Sequence, residues 1–152
     1  MTASAIDIHH HYVPQSLLEE AKKSGKHLGV ELVEKDGQQS LSFAGGPPFV
    51  LHPELPAIDE RLKMMTNSEL ALAALEAHTA TLGYRLSGEQ GENWCNVYND
   101  GIHELVKRYL DRFVGLASVP LQDPPRAAKV LERAVRDLNF RGGYIGTNVN
   151  GT

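Results

Sequence analysis

The sequence predicts an α/β fold with parallel strands, and two observations support this prediction. Short apolar runs that suit buried strands alternate with segments whose apolar residues recur at helical spacing. Near the C-terminus, a predicted strand at 113–119, a helix at about 125–138 and a strand at 141–147 follow one another at the spacing of a βαβ unit. Such a unit pairs its two strands in parallel through a right-handed crossover.

The N-terminal part is predicted to form a strand, a helix and a hairpin. An apolar run with one aspartate at 5–8 indicates a strand that leads into three histidines. Pro14 then opens a helix whose apolar stripe reaches about Gly25. The segment at about 29–44 has two alternating runs around Asp36-Gly37, a pair typical of a tight turn. We therefore expect a small β-hairpin insertion there.

The middle of the chain is predicted to contain two helices on either side of an ambiguous run. The apolar spacing at 58–65 indicates a helix that ends near Asn67. Residues 70–77 have high helix propensity, yet the run is short and bounded like a buried strand. Residues 83–91 are predicted to be loop, and 92–109 to be a long amphipathic helix. The strand positions of the whole chain are then centred near Ile6, Leu72, Val114 and Ile145.

The composition is that of a globular protein and excludes several classes of partner. The 152 residues suit one domain, and 41% of them are hydrophobic and 22% charged. The net charge of −4 gives no reason to expect nucleic acid or an anionic membrane as a partner. No apolar run approaches the roughly 20 residues of a membrane helix, and no signal peptide is visible. Cys95 is the only cysteine, which fits a reducing compartment, so we expect a cytoplasmic protein.

The three histidines after the first strand are the foremost candidates for chemistry. Side chains alternate along a strand, so His9 and His11 share one face and His10 lies on the other. Two imidazoles on one face at a strand end can reach one divalent cation, provided that further ligands join them. The alternatives are a solvated histidine run and a fragment of an affinity tag.

Three further residues are candidates for substrate binding. Arg61 could pair with a carboxylate through its guanidinium group, or lie on the surface beside two acidic neighbours. His78 follows the ambiguous run and would lie near the rim of the sheet if that run is a strand. Asn148 follows the last strand, where barrel enzymes place substrate-facing groups, although turn formation explains it nearly as well. His103 is expected to be solvated, and Cys95 to be inert.

Five segments of the sequence carry a family resemblance: Ile6 to Pro14, Leu82-Gly83-Tyr84, Asn93 to Asp100, Arg112 to Pro124 and Tyr144 to Gly151. Together they resemble the aminocarboxymuconate-semialdehyde decarboxylase-like branch of the amidohydrolase superfamily. The resemblance covers nearly the whole chain, and the combination of motifs is far more specific than the histidine pair alone.

The resemblance implies a metal-dependent enzyme. Its fold would be a (β/α)₈ TIM barrel with a divalent metal, usually zinc, at the C-terminal mouth, and His9 and His11 would be two of the ligands. Its activity would be non-oxidative decarboxylation of a small aromatic or muconate-type carboxylic acid, or hydrolysis as in related branches. Arg61 would hold the departing carboxylate. The remaining ligands and the catalytic groups are expected beyond Thr152.

Length then limits what this chain is expected to do. A complete barrel takes roughly 250 residues, so the chain is expected to be an N-terminal portion with about the first four β/α units. It would need a complementary C-terminal half or a second copy of itself to close the barrel. Three hypotheses follow: a metal-dependent carboxy-lyase in its complete form, a truncated fragment without activity, and a small α/β binding module.

Overall fold

A parallel sheet forms the centre of the protein in a computed structural model that describes residues 5–151. The strands are β1 (Ala5–His11), β2 (Val30–Lys35), β3 (Gln38–Phe43), β4 (Phe49–Val50), β5 (Leu70–Glu76), β6 (Phe113–Gly115), β7 (Ala117–Ser118) and β8 (Gly143–Tyr144). The helices are α1 (Gln15–Leu28), α2 (Ile58–Asn67), α3 (Gly88–Arg108) and α4 (Pro124–Arg136), and a 3₁₀ turn spans Thr79–Thr81.

The four predicted strand positions lie side by side in the order β1, β5, β6–β7, β8. Every pair in this order is parallel. The predicted strand at 113–119 is divided at Leu116, because its first part pairs with β5 and its second part pairs with β8. The Leu116 N–H still donates to the Leu75 carbonyl, while the Ala117 N–H donates to the Gly142 carbonyl. The α/β class with a parallel sheet is therefore confirmed.

The hairpin insertion forms around the turn that the sequence predicts. Asp36 and Gly37 both have positive φ, 52° and 75°, as the favoured two-residue hairpin turn requires. Strands β2 and β3 pair in antiparallel register from Val30↔Phe43 to Lys35↔Gln38. A third short strand, β4, extends this sheet beyond the predicted hairpin. It carries Phe49 towards the site described below.

The ambiguous run at 70–77 is a strand and not a helix. Its alanines and leucines have high helix propensity, but β5 lies between β1 and β6 and is hydrogen-bonded on both sides. The last four residues of β5 are buried. Burial between two neighbours outweighs a local preference that is worth only a few tenths of a kcal/mol per residue.

Helix α3 begins at Gly88, four residues before the predicted start, so part of the predicted loop at 83–91 is helical. The cause is a capping box: the Ser87 hydroxyl accepts from the Gln90 N–H at 3.2 Å, and the Gln90 side-chain oxygen accepts from the Ser87 N–H at 3.4 Å. These two bonds satisfy donors that a bare helix end leaves without partners.

Replacing Ser87 by alanine is expected to lower the free energy of unfolding by about 1 kcal/mol, the usual contribution of a helix N-cap. Urea denaturation followed by circular dichroism measures the change. Ser87→Asp is the matched control, because a carboxylate accepts the same bond and should retain most of the stability. Equal stability of Ser87→Ala and the wild type would contradict this role for the cap.

Helix α3 also supplies the centre of the core. Trp94, Tyr98 and Asn99 are fully buried on it. Tyr98 donates to the Tyr12 carbonyl at 2.7 Å, just after β1, and Asn99 bonds both the N–H and the carbonyl of Ser118 at 2.9 Å. The helix is thus attached to two strands of the sheet. Among residues 5–151, no helix is both long and apolar enough to cross a membrane.

Candidate metal centre

Three side chains converge at the carboxyl ends of β1 and β5. His9, His11 and Glu76 each offer a ligand atom, and these atoms all lie within 4.8 Å of one another. The register of the two parallel strands places His11 directly beside Glu76. The structure therefore brings the two predicted histidines together, and it adds a carboxylate that the sequence did not single out.

A bulge in β1 separates His10 from this cluster. The strand register shifts between Asp7 and His10, so that three steps along β1 match two steps along β5. His10 is buried, and its Nδ1 donates to Asp7 Oδ2 at 2.7 Å. Asp7 also accepts from the His9 backbone N–H at 3.0 Å. Burial acts to raise the pKa of Asp7, but these hydrogen bonds outweigh it and lower that pKa.

His11 is held in an orientation that suits a ligand. Its Nδ1 lies 3.1 Å from the Ala77 carbonyl oxygen, and a carbonyl only accepts, so Nδ1 carries the proton and Nε2 keeps its lone pair. Burial lowers the pKa of His11, and the neighbouring His78 and His9 lower it further. Both effects favour the neutral imidazole, which is the form that binds metal.

Glu76 is the buried member of the cluster, with a side chain that is 2% exposed. Its Oε1 lies 2.5 Å from His9 Nδ1 and 3.7 Å from His11 Nδ1. Neither contact has the geometry of a hydrogen bond, and Oε1 has no hydrogen-bond partner among the described residues. Burial raises the pKa of Glu76, while the proximity of His9 acts in the opposite direction.

His78 lies beside His11, two residues after the end of β5. The rings of His78 and His11 have centroids 5.0 Å apart, and Phe49 stacks on His78 at 4.7 Å. The Ala80 N–H donates to His78 Nδ1 at 3.2 Å, so in the neutral ring the proton is on Nε2. Burial lowers the pKa of His78, and nearby His52 lowers it further.

An open cavity of about 410 Å³ adjoins His78. Its walls come from the segment before β4, the segment after β5 and the segment after β8. The lining residues that bear on chemistry are Phe49, Tyr84, Arg85, Asn148 and Asn150. The structure thus places Asn148 in this cavity, together with an arginine that the sequence did not single out.

Arg61 lies apart from the cluster. Its Nη2 donates to the carbonyls of Glu54 and Leu55 at 3.3 and 3.4 Å, and its guanidinium group lies over the Tyr12 ring at 5.5 Å. Burial lowers the pKa of Arg61. Its described contacts are those of a residue that holds the loop before α2 against the core. The role in carboxylate binding predicted for it has no support from these contacts.

The predictions for two other residues outside the cluster, His103 and Cys95, can be compared with the structure. His103 is half-buried and contacts the Leu138 carbonyl at 3.1 Å, so the prediction that it is solvated is wrong. Its helix packs against α4, which brings the carbonyl within reach. Cys95 is buried, and burial raises the pKa of its thiol to about 12, which agrees with the expectation that it is inert.

A comparison with known families matches residues 6–152 to the family model described as Amidohydrolase. Among curated proteins, the chain is 25% identical over 147 residues to 2-amino-3-carboxymuconate-6-semialdehyde decarboxylase of Dictyostelium discoideum, covering 96% of this chain and 41% of that protein. It is 31% identical over 116 residues to gamma-resorcylate decarboxylase of Rhizobium radiobacter, covering 75% of this chain and 34% of that protein. The chain spans less than half the length of either relative.

Solved structures share the same fold. A dihydroxybenzoic acid decarboxylase from Polaromonas sp. JS666, with bound manganese and the inhibitor 2-nitroresorcinol, superposes with a TM-score of 0.66 at 22% identity, over 92% of this chain and 37% of that one. A 5-carboxyvanillate decarboxylase from Sphingomonas paucimobilis gives a TM-score of 0.71 at 19% identity, over 99% and 44%. At these identities the likeness establishes the fold alone.

Proposed function

Because this chain belongs to the amidohydrolase family, we propose that it forms part of a metal-dependent, non-oxidative decarboxylase. Its substrate class is a small aromatic or muconate-type carboxylic acid. The observation that carries this proposal is the convergence of His9 and His11 at the carboxyl end of a parallel strand. Curated relatives that are decarboxylases support the choice of reaction.

The donor set fits a divalent metal. Neutral imidazoles bind zinc and several other first-row ions, and the Nε2 lone pair of His11 is available because Nδ1 faces a carbonyl. A bound divalent ion supplies Lewis acidity, which polarises a substrate oxygen or lowers the pKa of a water. Zinc is the metal that the family resemblance suggests, whereas the Polaromonas structure holds manganese. The activity assay below therefore uses both zinc and manganese.

The cavity beside His78 is the proposed substrate site. Phe49 and Tyr84 offer apolar surface to a ring or an unsaturated chain, and Asn148 offers an amide to polar substituents. In its neutral form His78 carries a proton on Nε2, which it can donate in a hydrogen bond to the substrate. The half-buried ring stacks on Phe49 and lies 5.0 Å from the His11 ring, between centroids.

We also propose that the sheet continues beyond this chain as a barrel. Ile6 and Ile8 on the edge strand β1 are 61% and 75% exposed, and Ile145 after β8 is 54% exposed. Apolar residues at both edges of a parallel sheet are unusual unless further strands or helices cover them. A complementary half or a second copy of the chain would cover them. The reducing cytoplasm is the proposed location, which the unpaired Cys95 supports.

Release of CO₂ tests the proposed reaction. The protein is loaded with Zn²⁺ or Mn²⁺ and incubated with dihydroxybenzoates and muconate-type acids. From the completed barrel, formed with a complementary half or a second copy, we expect release that is lost when a chelator removes the metal and restored when the metal is returned. The longer product is assayed in parallel if the reading frame continues after Thr152. Metal-dependent hydrolysis of esters or amides without CO₂ release would favour the hydrolase alternative and contradict decarboxylation.

The substrate carboxylate has two candidate partners. The family resemblance suggests Arg61, whereas the cavity geometry favours Arg85, which is exposed and lines the cavity. In an active preparation, Arg85→Ala is expected to raise KM by about tenfold or more, because a hydrogen bond to a charged group contributes about 1.5–3 kcal/mol. Arg61→Ala is the matched control, and we expect it to lower stability and leave KM unchanged. The reverse pattern in steady-state kinetics would assign the carboxylate to Arg61.

A further inference from the structure

We propose that Glu76 is a third protein ligand, so that His9, His11 and Glu76 together hold one divalent cation within this chain. The inference rests on the proposed metal role of the two histidines and extends it in two ways. It adds a ligand from a second strand, and it gives the 152-residue chain a metal site of its own.

The pairing of β1 with β5 creates the geometry for this site. His11 and Glu76 are partners in the parallel register, and His9 reaches the same point from two residues earlier on β1. Tetrahedral ligands at about 2.1 Å from a zinc ion lie about 3.4 Å from one another. The three side chains offer ligand atoms that lie within 4.8 Å of one another, which is near this spacing.

The state of the Glu76 carboxylate is the second observation that points to a cation. The side chain is 2% exposed, and Oε1 has no hydrogen-bond partner among the described residues. A buried carboxylate is unfavourable unless it is paired, hydrogen-bonded or bound to a metal. The contact with His9 Nδ1 at 2.5 Å is close enough for an ion pair but lacks hydrogen-bond geometry. A cation bound by both atoms, once they move apart to about 3.4 Å, would satisfy both.

The surroundings support the same assignment. The Ala77 carbonyl accepts a hydrogen bond from His11 Nδ1. Such a bond fixes the ring orientation of a metal-binding histidine. Asp7 bonds the backbone N–H of His9 and so restrains the strand at that ligand. Two histidines and one glutamate form a set of three, which leaves a coordination position open for water or substrate.

Metal binding by the full 152-residue chain tests this inference. Zn²⁺ titration by calorimetry, after stripping with a chelator, should give one equivalent per chain, and Co²⁺ substitution should give a visible absorption band. Glu76→Gln keeps the side-chain volume and is expected to weaken Zn²⁺ binding at least 100-fold. Loss of an outer-shell partner already costs about 10–100-fold, and a lost ligand costs more. Glu31→Gln, on the exposed face of the hairpin, is the matched control and should bind as the wild type does.

Two results would overturn the inference. Wild-type affinity in Glu76→Gln, together with loss of binding in His9→Ala, would leave the histidines as ligands and exclude Glu76. Failure of the folded wild-type chain to take up one equivalent would exclude a site complete within this chain, while the decarboxylase proposal is decided separately by CO₂ release. If Glu76→Gln does not fold, Glu76→Asp decides: a loss of tenfold or more supports the inference, and unchanged affinity overturns it.

Discussion

Replacing His11 by alanine is expected to weaken Zn²⁺ binding at least 100-fold, whereas replacing His10 by alanine should leave the affinity unchanged. His11 lies in the proposed metal centre with Nε2 available. His10 is buried on the other side of the strand, where it donates to Asp7. Loss of a ligand costs more than the roughly 10–100-fold of an outer-shell partner. Calorimetric titration of both variants against the wild type measures the difference.

The order of the two variants should be reversed for stability: His10→Ala should lower the free energy of unfolding more than His11→Ala does. His10→Ala removes a partner of the Asp7 carboxylate, and loss of a hydrogen bond to a charged group costs about 1.5–3 kcal/mol. His11→Ala removes a side chain that is 24% exposed and bonded to a single carbonyl, so its cost should be smaller in the absence of metal. Equal loss of zinc binding in both variants would contradict the proposal that His11 faces the metal centre and His10 lies on the other side of β1.

Replacing Trp94 by alanine is expected to lower the free energy of unfolding by about 3–5 kcal/mol, the range for truncation of a large buried aromatic side chain. Trp94 is fully buried, and its Nε1 donates to the Thr81 carbonyl at 2.8 Å. Its ring meets that of Phe43 edge-to-face at 5.2 Å. One side chain thus joins α3, the hairpin and the turn that follows His78. Urea denaturation measures the loss.

Two further variants separate the causes of this loss. Trp94→Phe keeps most of the packing and removes the hydrogen bond, so its cost should be intermediate, because the Thr81 carbonyl is left without its donor. Leu110→Ala is the control for an apolar residue outside the core, since Leu110 is 71% exposed, and its cost should be close to zero. A loss below about 1 kcal/mol in Trp94→Ala would contradict a central role in the core.

The predictions that depended on local pattern agree with the structure. Asp36-Gly37 forms the hairpin turn, and the four strand positions pair in parallel. His9 and His11 lie together, as predicted from the alternation of side chains along a strand. This alternation is a local property, so the prediction needed no information from elsewhere in the chain. Even so, the bulge after Asp7 was not visible in the sequence. The sequence also left 70–77 ambiguous, because propensity favours a helix where tertiary pairing produces a strand.

The residues that the sequence missed depend on contacts between distant segments. Glu76 carried one local signal: it is the only charged residue in the run at 70–77 and stands one residue before its end. That signal has no meaning until β5 is known to lie beside β1. In the same way, Arg61 matched a family pattern, but its described contacts are with nearby carbonyls and Tyr12. Arg85 reaches the cavity through the course of a loop that no periodicity describes.

By itself, the sequence determined the parallel α/β class, the amidohydrolase family and the two histidines that share one face of the first strand. These follow from apolar periodicity, from motifs and from strand geometry, all of which act over a few residues. Only the tertiary structure decided that Glu76 joins those histidines, because a strand register between His11 and Glu76, across 64 residues of intervening chain, sets that contact. Its buried Oε1 has no hydrogen-bond partner within residues 5–151, and its place beside His9 and His11 turns a pair of histidines into a candidate three-ligand metal centre.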